Sequence, residues 1–590
     1  MTKFLQKTLK PYRGLLILVI LLQLGQSFLT MYLPTINARV IDYGVANGDG
    51  EYILKQGILM MGIALIQFLF STSAGIVGAK VALMSGRDLR EQVYTRLMHF
   101  SEKMIGTMGA PTLITRATND VQQVTQFVTF LFTAIIAAPM MFIGGLVLAL
   151  SQSVRLSVVL LITIPLLIVV SVVFLKQILP YYRAQQTRID EMNTVLRDQI
   201  SGVRVVKAFT KEEGEKDRFE RINGDLAGIN TSIGKITGLM QPIFTLTMSF
   251  ANIALIWIGG RMAGNGQVQI GQVIGFVTYI SFILTATLMA SMVFIMLPRA
   301  EVSVIRIEEI LNSENEIHEA EDAKELKNVR GEVQFSHVTY SYAPDNDQVE
   351  PVLRDISFRA EPGKTTAIIG STGCGKSTLL NLIPRFYDVT SGKVTVDGID
   401  VRDMPQETLH SLLGYVPQKG ILFSGSIASN LKFGGEQITD ADMKKAAAIA
   451  QATEFIDTKP EGYDSPIAQG GSNVSGGQKQ RLSIARAIAK APRIYLFDDS
   501  FSALDYKTDV TLRRALKAET GDATVIIVAQ RISTVLHANQ ILVLDEGRLV
   551  GRGTHAQLMA SCPEYQEIAR SQLSQKELDL KDLNTGKEEK

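Results

Sequence analysis

The segment GSTGCGKS at residues 370–377 carries residue types whose spacing suits phosphate binding. It fits the pattern G-x-x-x-x-G-K-[ST], in which glycines allow backbone N–H groups to curl around phosphate oxygens. Lys376 is expected to reach the β- and γ-phosphates and Ser377 to ligate Mg²⁺, and a helix beginning there directs its positive dipole end at the anion. The residues expected around the phosphates are Gly370, Ser371, Thr372, Gly373, Cys374, Gly375, Lys376, Ser377 and Thr378. The segment predicts a site for ATP and Mg²⁺.

A second candidate element lies further along the chain. The hydrophobic run at residues 493–497 predicts a buried strand that ends in Asp498, whose carboxylate suits the Mg²⁺ shell. Another buried strand, at residues 367–369, precedes the phosphate loop, and from Gly331 onward short β-rich runs alternate with helical patterns. This alternation predicts an α/β domain around the site.

The N-terminal half is apolar to an extent that predicts membrane insertion. The chain has 590 residues, of which 46% are hydrophobic. Each uncharged stretch reaches the roughly 20 residues that a helix needs to cross a bilayer. The stretches lie at residues 14–38, 57–79, 121–154, 156–175, 236–260 and 262–298. The net charge of +1 argues against nucleic-acid binding, which requires a concentrated excess of Lys and Arg.

The distribution of basic residues predicts the orientation of the six spans. Residues 87–116 and 183–235 are rich in Lys and Arg, and Lys3, Lys7 and Lys10 precede the first span. The positive-inside rule therefore places both termini and both long segments in the cytosol of a multi-pass cell-membrane protein. The expected organisation is a transmembrane domain at residues 1–312, a linker at 313–330, a nucleotide-binding domain at 331–575 and a charged tail at 576–590.

Two further motifs, taken with the phosphate loop, indicate a known protein family. The sequence NVSGGQ lies at residues 473–478 and FDDSFSALD at residues 497–505. Together with six spans in front of one phosphate loop, they resemble ABC exporter half-transporters over nearly the whole chain. The resemblance implies an all-α six-helix transmembrane domain of the type IV exporter fold, followed by an α/β P-loop domain with a helical subdomain. It also implies ATP hydrolysis coupled to transport.

The resemblance assigns expected roles to single residues. Tyr342 matches the tyrosine that stacks on adenine, with Tyr340 as the rival candidate, and Gln418 matches the glutamine that senses Mg²⁺. The resemblance also implies that the residues of the NVSGGQ signature contact ATP that is bound to the opposite subunit. Its members are Ser475, Gly476, Gly477 and Gln478, with Asp505 nearby. Residues 112–121 and 202–209 resemble the two coupling segments of the exporter fold.

Two positions depart from the family pattern. A glutamate would normally follow the strand aspartate and orient the attacking water, but Asp499 stands there; a histidine would normally touch the γ-phosphate, but Gln530 stands there. Asp is one methylene shorter, and a misplacement of about 1 Å can cost on the order of 10²-fold in rate. The sequence is accordingly closest to the degenerate-site subunit of heterodimeric multidrug-type exporters, whose partner supplies the consensus Glu and His.

The cargo and the assembly are less specified by the residues. The spans contain almost no ionisable side chains, which favours a lipophilic or amphipathic cargo. Methionines such as Met240, Met248, Met289 and Met292 could line an adaptable cavity or simply pack. The alternatives to a heterodimeric drug exporter are a homodimeric exporter or lipid flippase with slow ATP hydrolysis, and an ATP-gated channel or regulator.

Overall fold

The computed structural model describes residues 1–320, 323–324, 329–343 and 348–573. The expected charged tail at 576–590 and part of the expected linker lie outside the described residues. The chain divides into two compact units. One comprises Met1–His99 and Met108–Ser313, and the other comprises Phe100–Thr107 and Glu314–Lys590. A short segment between the second and third long helices therefore packs with the C-terminal unit.

Six long apolar helices form the N-terminal unit, as the uncharged stretches predict. Each is long and apolar enough to cross a membrane. Their bounds are Thr2–Val45, Gly50–Met98, Ala110–Gln152, Val158–Ser201, Glu212–Gly264 and Ile270–Asn312. The helices are much longer than a bilayer requires, because the polar but periodic stretches beyond the apolar windows continue the helices.

Short helices lie at two of the connections between the long helices. Residues 112–121 were expected to form the first coupling segment, but they lie inside the third long helix, Ala110–Gln152. The short helix at this connection is Glu102–Met108. The second expected segment, residues 202–209, does contain a short helix, Val203–Ala208. Residues 112–121 are thus helical, and their role as a coupling segment stays a prediction.

A polar cluster joins three of the long helices. The buried Tyr279 hydroxyl lies 3.0 Å from Thr35 Oγ1, and Gln152 Nε2 donates to the same hydroxyl at 3.0 Å. Helix packing is close here, because a Cβ built on Gly145 would lie 3.3 Å from the Tyr279 carbonyl oxygen. Interhelical hydrogen bonds of this kind stabilise bundles in the absence of a hydrophobic driving force between helices.

The four methionines named from the sequence have different environments. Met248 is buried and packs with Leu255 and Phe276 inside the bundle, so it contributes to helix packing. Met292 is exposed on its helix. Met240 and Met289 are half-buried.

Among its described residues, the C-terminal unit contains three sheets. The main sheet has the order β12-β11-β3-β10-β9-β6, with every neighbouring pair parallel except β12 and β11. A four-stranded antiparallel sheet has the order β2-β1-β4-β5, and β7 pairs with β8. The bounds are β1 Val333–Tyr340, β2 Leu353–Ala360, β3 Thr365–Gly370, β4 Ser391–Val396, β5 Ile399–Asp400, β6 Leu413–Val416, β7 Gly425–Ser426, β8 Pro466–Ile467, β9 Ile494–Asp498, β10 Thr524–Val528, β11 Gln540–Asp545 and β12 Arg548–Gly553.

Helices cover the main sheet, and alternate strand residues face opposite cores. On β9, Phe497 packs in one core and Leu496 in the other, and on β10 the same holds for Ile527 and Ile526. Strands buried on both faces are hydrophobic throughout. The helices are Lys376–Asn381, Gln406–Ser411, Ile427–Leu431, Asp440–Ile449, Thr453–Asp457, Gly476–Ala489, Tyr506–Glu519, Ile532–Val535, His555–Ser561 and Pro563–Gln572.

The Tyr279 cluster generates a stability prediction. Tyr279→Phe removes a buried hydroxyl and leaves Thr35 and Gln152 without this shared partner, at a cost of about 1 kcal/mol. We expect the unfolding midpoint in detergent to fall by about 1–2 °C, measured by a thermal ramp of the purified protein. Tyr43→Phe, at an exposed side chain, is the matched control. Equal midpoints for the two variants would contradict the assigned role of the cluster.

Candidate functional site

The phosphate loop connects the end of β3 to the helix Lys376–Asn381. Gly375 caps this helix with φ +98°, and Gly373 has φ +87°, a region that side chains with a Cβ rarely adopt. A Cβ on Gly375 would also lie 2.8 Å from Leu353 Cδ2. The glycines predicted from the pattern therefore stand where the backbone requires them. Within this loop Ser371 and Thr372 are exposed.

Lys376 and Ser377 are held by the loop and by the neighbouring strand. Lys376 Nζ donates to the carbonyl oxygens of Gly370 at 2.9 Å and Ser371 at 2.7 Å. Ser377 Oγ donates to Asp498 Oδ1 at 2.9 Å. The two sequence-predicted elements of the site are therefore in direct contact, with a hydroxyl and a carboxylate side by side.

Asp499 follows immediately and has an unusual backbone. Its φ is +46°, a left-handed conformation that Asp and Asn adopt more readily than most residues. Its N–H donates to the Val528 carbonyl at 3.0 Å, and its buried side chain accepts a hydrogen bond from Gln418 Nε2 at 3.3 Å. Gln418 and Asp499 thus lie close together beside Asp498, the last residue of β9.

Burial affects the two titratable groups nearest the loop. Burial raises the pKa of Asp498, and the hydrogen bond from Ser377 opposes that rise. Burial also raises the pKa of the Cys374 thiol, although the nearby Lys376 ammonium acts in the opposite direction. Cys374 Sγ lies 3.8 Å from Lys376 Nζ. The thiol is therefore a protonated, enclosed group in the wall of the loop.

The donor set matches what MgATP would need. The oxygens of Ser377 and Asp498, with the Gln418 side chain close to Asp499, are hard ligands of the kind that Mg²⁺ prefers. Lys376 and the loop backbone provide the cationic and N–H donors for phosphate. The residues present therefore fit both the nucleotide and its metal ion.

The two candidate tyrosines for base stacking have different environments. Tyr340 is 4% exposed and belongs to the core, whereas Tyr342 is 42% exposed. The Tyr342 hydroxyl lies 3.0 Å from Thr378 Oγ1, on the helix of the phosphate loop. A stacking platform needs an accessible ring face, so the geometry favours Tyr342 over Tyr340.

The signature residues begin a different helix. Ser475 caps Gly476–Ala489, accepting from the Gln478 N–H at 3.3 Å while Gln478 Oε1 accepts from the Ser475 N–H at 3.0 Å. Ser475 and Gly476 are exposed. Among the described residues, no hydrogen bond or ion pair joins this group to the phosphate loop. The start of this helix is therefore accessible from solvent.

Asp505 and Gln530 each lie just before a helix, Tyr506–Glu519 and Ile532–Val535 respectively. Asp505 caps the helix Tyr506–Glu519 by accepting from the Thr508 N–H at 3.0 Å, and this bond lowers the pKa of its carboxyl. The Gln530 side chain is exposed, and its carbonyl accepts from Gln572 Nε2 at 2.8 Å. The sequence motifs did not reveal these contacts, and they also missed Tyr387, whose ring lies 5.5 Å from that of Tyr342.

Comparison with known proteins agrees with this architecture. The ABC transporter transmembrane region family matches residues 16–288 and the ABC transporter family matches residues 353–502. An uncharacterized ABC transporter ATP-binding protein of Mycobacterium tuberculosis is 45% identical over 96% of this chain and 97% of its own length. A fatty acid ABC transporter ATP-binding/permease protein of the same species is 32% identical over 78% of this chain and 72% of its own.

A solved structure extends the likeness to the fold. A bacterial Atm1-family ABC exporter with ATP bound superposes with a TM-score of 0.79, covering 97% of this chain and 99% of that one, at 24% identity. The six apolar helices and the α/β unit thus have the type IV exporter arrangement predicted from the sequence. The chain belongs to the ABC transporter family, as an exporter-type half-transporter in which one transmembrane region precedes one ATP-binding domain.

Proposed function

We propose that this protein is one subunit of a heterodimeric exporter that moves lipophilic or amphipathic compounds out of the cytoplasm or the inner leaflet of the cell membrane. Its own nucleotide site retains MgATP and hydrolyses it slowly. Its signature completes a second site, in which the partner subunit supplies the catalytic Glu and the His. The observation that carries the proposal is Asp499 beside an otherwise complete set of phosphate-binding groups.

The geometry around Asp499 supports slow hydrolysis. The strand of Asp498 and the left-handed backbone at residue 499 fix where this carboxylate can reach, and its oxygen lies next to Gln418. A side chain shorter by one methylene leaves the attacking water about 1 Å further away, which is worth on the order of 10²-fold in rate. Gln530 can donate or accept a hydrogen bond but cannot become a cation.

The exposed signature supports a second subunit. Ser475 and Gly476 present a hydroxyl and a helix start to solvent, which suits an anion brought from outside the chain. In such an assembly Ser475, Gly477 and Asp505 would face the partner's ATP. Each of the two sites would then draw residues from both subunits.

Exposed apolar side chains on the second short helix support the same assembly. Val205 is 61% and Phe209 71% exposed at Val203–Ala208. The C-terminal unit exposes Phe423 and Phe433, which stack at 4.5 Å. Surfaces of this kind are suited to partner contacts. We infer that this helix docks on the partner's ATP-binding domain. By symmetry, the corresponding helix of the partner would dock on this chain's surface around Phe423 and Phe433.

The cargo proposal rests on the spans and on a relative. The long helices expose many aliphatic and aromatic side chains and carry few charges, which disfavours an ion or proton path. The relative named as a fatty acid transporter supports an amphipathic cargo.

Restoring the two departing side chains tests the slow site. Asp499→Glu should raise ATP turnover at this site only a few-fold, because Gln530 remains and because Glu tolerates the left-handed backbone less readily than Asp. Adding Gln530→His should give the larger increase. The measurement is phosphate release by the purified complex, with Asp499→Asn as control. Partner-level turnover from Asp499→Glu alone would show that carboxylate reach is the sole defect.

The assembly itself is testable with the isolated chain. Reconstituted alone in vesicles, the protein should bind ATP but show little ATP hydrolysis and no uphill movement of a lipophilic dye. Addition of a half-transporter with the consensus Glu and His should restore both activities. Vigorous transport by the chain alone would favour the homodimer, and a single-channel current on ATP addition would favour the channel.

Cys374 provides a chemical probe of the loop. In a Cys562→Ser background, alkylation of Cys374 with a bulky maleimide should abolish ATP binding at this site, because the thiol is buried in the loop wall. Bound ATP should slow the labelling. The readouts are the labelling rate by mass spectrometry and retention of a fluorescent ATP analogue. Unchanged ATP affinity after complete labelling would contradict the loop geometry.

A further inference from the structure

The ATP-binding domain contains a cavity of about 500 Å³ that belongs to a different part of the domain from the phosphate loop. The helix Tyr506–Glu519 contributes lining residues from its first turn to its last, and a helix of 14 residues is about 21 Å long. Val525 and Ile527 of β10 and residues 533–538 supply most of the remaining wall. Ligand pockets typically have volumes of about 300–1,000 Å³. The cavity is therefore elongated and large enough for a small organic ligand.

The floor of this cavity is apolar. Leu516, Val525 and Ile527 are at most 5% exposed and belong to one hydrophobic core of the domain. Leu536 and Ala538, which also line the cavity, pack against the same core. Covering such a surface releases water and stabilises a complex by about 25 cal/mol for each Å² of apolar area. The floor therefore favours a ligand with a hydrocarbon or aromatic part.

The charges around the cavity all have one sign. Arg513, Arg514 and Lys517 line it, and none of its described lining residues is Asp or Glu. Arg513 is already neutralised, since its Nε lies 2.8 Å from Asp509 Oδ1 and its Nη1 donates to the Ser533 carbonyl at 3.1 Å. Arg514 and Lys517 are exposed, and within the described part of the chain neither takes part in an ion pair. Two cations are therefore available beside an apolar floor.

We propose that this cavity is a second ligand site, which takes a small amphipathic organic anion. The apolar part of the ligand lies against Leu516, Val525 and Ile527, and its carboxylate or other anionic head pairs with Arg514 and Lys517. An inorganic anion would gain nothing from the apolar floor, and a neutral lipophile would leave both cations unpaired. All of these groups belong to one chain, so the site requires neither a partner subunit nor ATP hydrolysis.

Photoaffinity labelling tests the site. The purified full-length protein in lipid nanodiscs is irradiated with a decanoic acid that carries a diazirine on its chain, and the labelled residues are mapped by mass spectrometry. We expect label within residues 506–538 that excess unlabelled decanoic acid removes. Arg514→Gln/Lys517→Gln should reduce this label by about 3- to 10-fold, because two charge contacts are lost. Lys444→Gln/Lys507→Gln removes the same charge from exposed positions outside the cavity and should label like the unmodified protein.

A second variant and two other compounds complete the test. Ala538→Phe fills the cavity and should abolish the label, while retention of a fluorescent ATP analogue shows that the domain is folded. Decanol with the same diazirine should label residues 506–538 several-fold less than the acid does, and excess inorganic phosphate should leave labelling by the acid unchanged.

Four results would overturn the proposal. They are the absence of saturable label from residues 506–538, equal labelling by the acid and the alcohol, unchanged labelling of Arg514→Gln/Lys517→Gln, and displacement of the acid by phosphate, which would indicate an adventitious ion only. Label that appears only after removal of residues 574–590 would also overturn it, because the chain itself would then be the occupant. Each of these results leaves the proposed export function untouched, because the labelling depends on neither ATP turnover nor a partner.

Discussion

Parallel strand register is the constraint on which the nucleotide site depends. β10 lies between β3 and β9, and Val528 aligns with Ile368 on one side and Asp498 on the other. The carboxyl ends of the three strands therefore meet at one edge of the sheet, where ligands of such folds bind. The hydrogen bond between Ser377 and Asp498 exists only because of that alignment. A slip of one residue would point Asp498 to the other face.

The same register bears on the proposed role of Asp499. Its N–H is tied to Val528 at the edge of the sheet, so the backbone cannot move to compensate for a shorter side chain. The loop backbone and Lys376 provide the groups that fit phosphate, and Asp499 is not among them. In the proposed subunit, binding and hydrolysis would therefore depend on different side chains.

Local patterns predicted much of the molecule. The loop glycines, the strand ending in Asp498 and the six spans all follow from residue type and short-range spacing, and the structure has each of them. The first connecting helix was missed because Glu102–Met108 has no amphipathic repeat long enough to distinguish it from the helices around it. The left-handed backbone at Asp499 comes from tertiary packing against Val528, far away in the chain, which no local pattern encodes.

The two short connecting helices, Glu102–Met108 and Val203–Ala208, differ in the contacts that their side chains make. This difference bears on the proposed assembly. Lys103 on the first helix pairs with Glu316 of its own chain at 2.9 Å. Val205 and Phe209 on the other helix remain exposed. Exposed apolar side chains at a cytosolic helix end gain free energy when a partner covers them. Of the two connections, the second is therefore the one that the proposed assembly would bury.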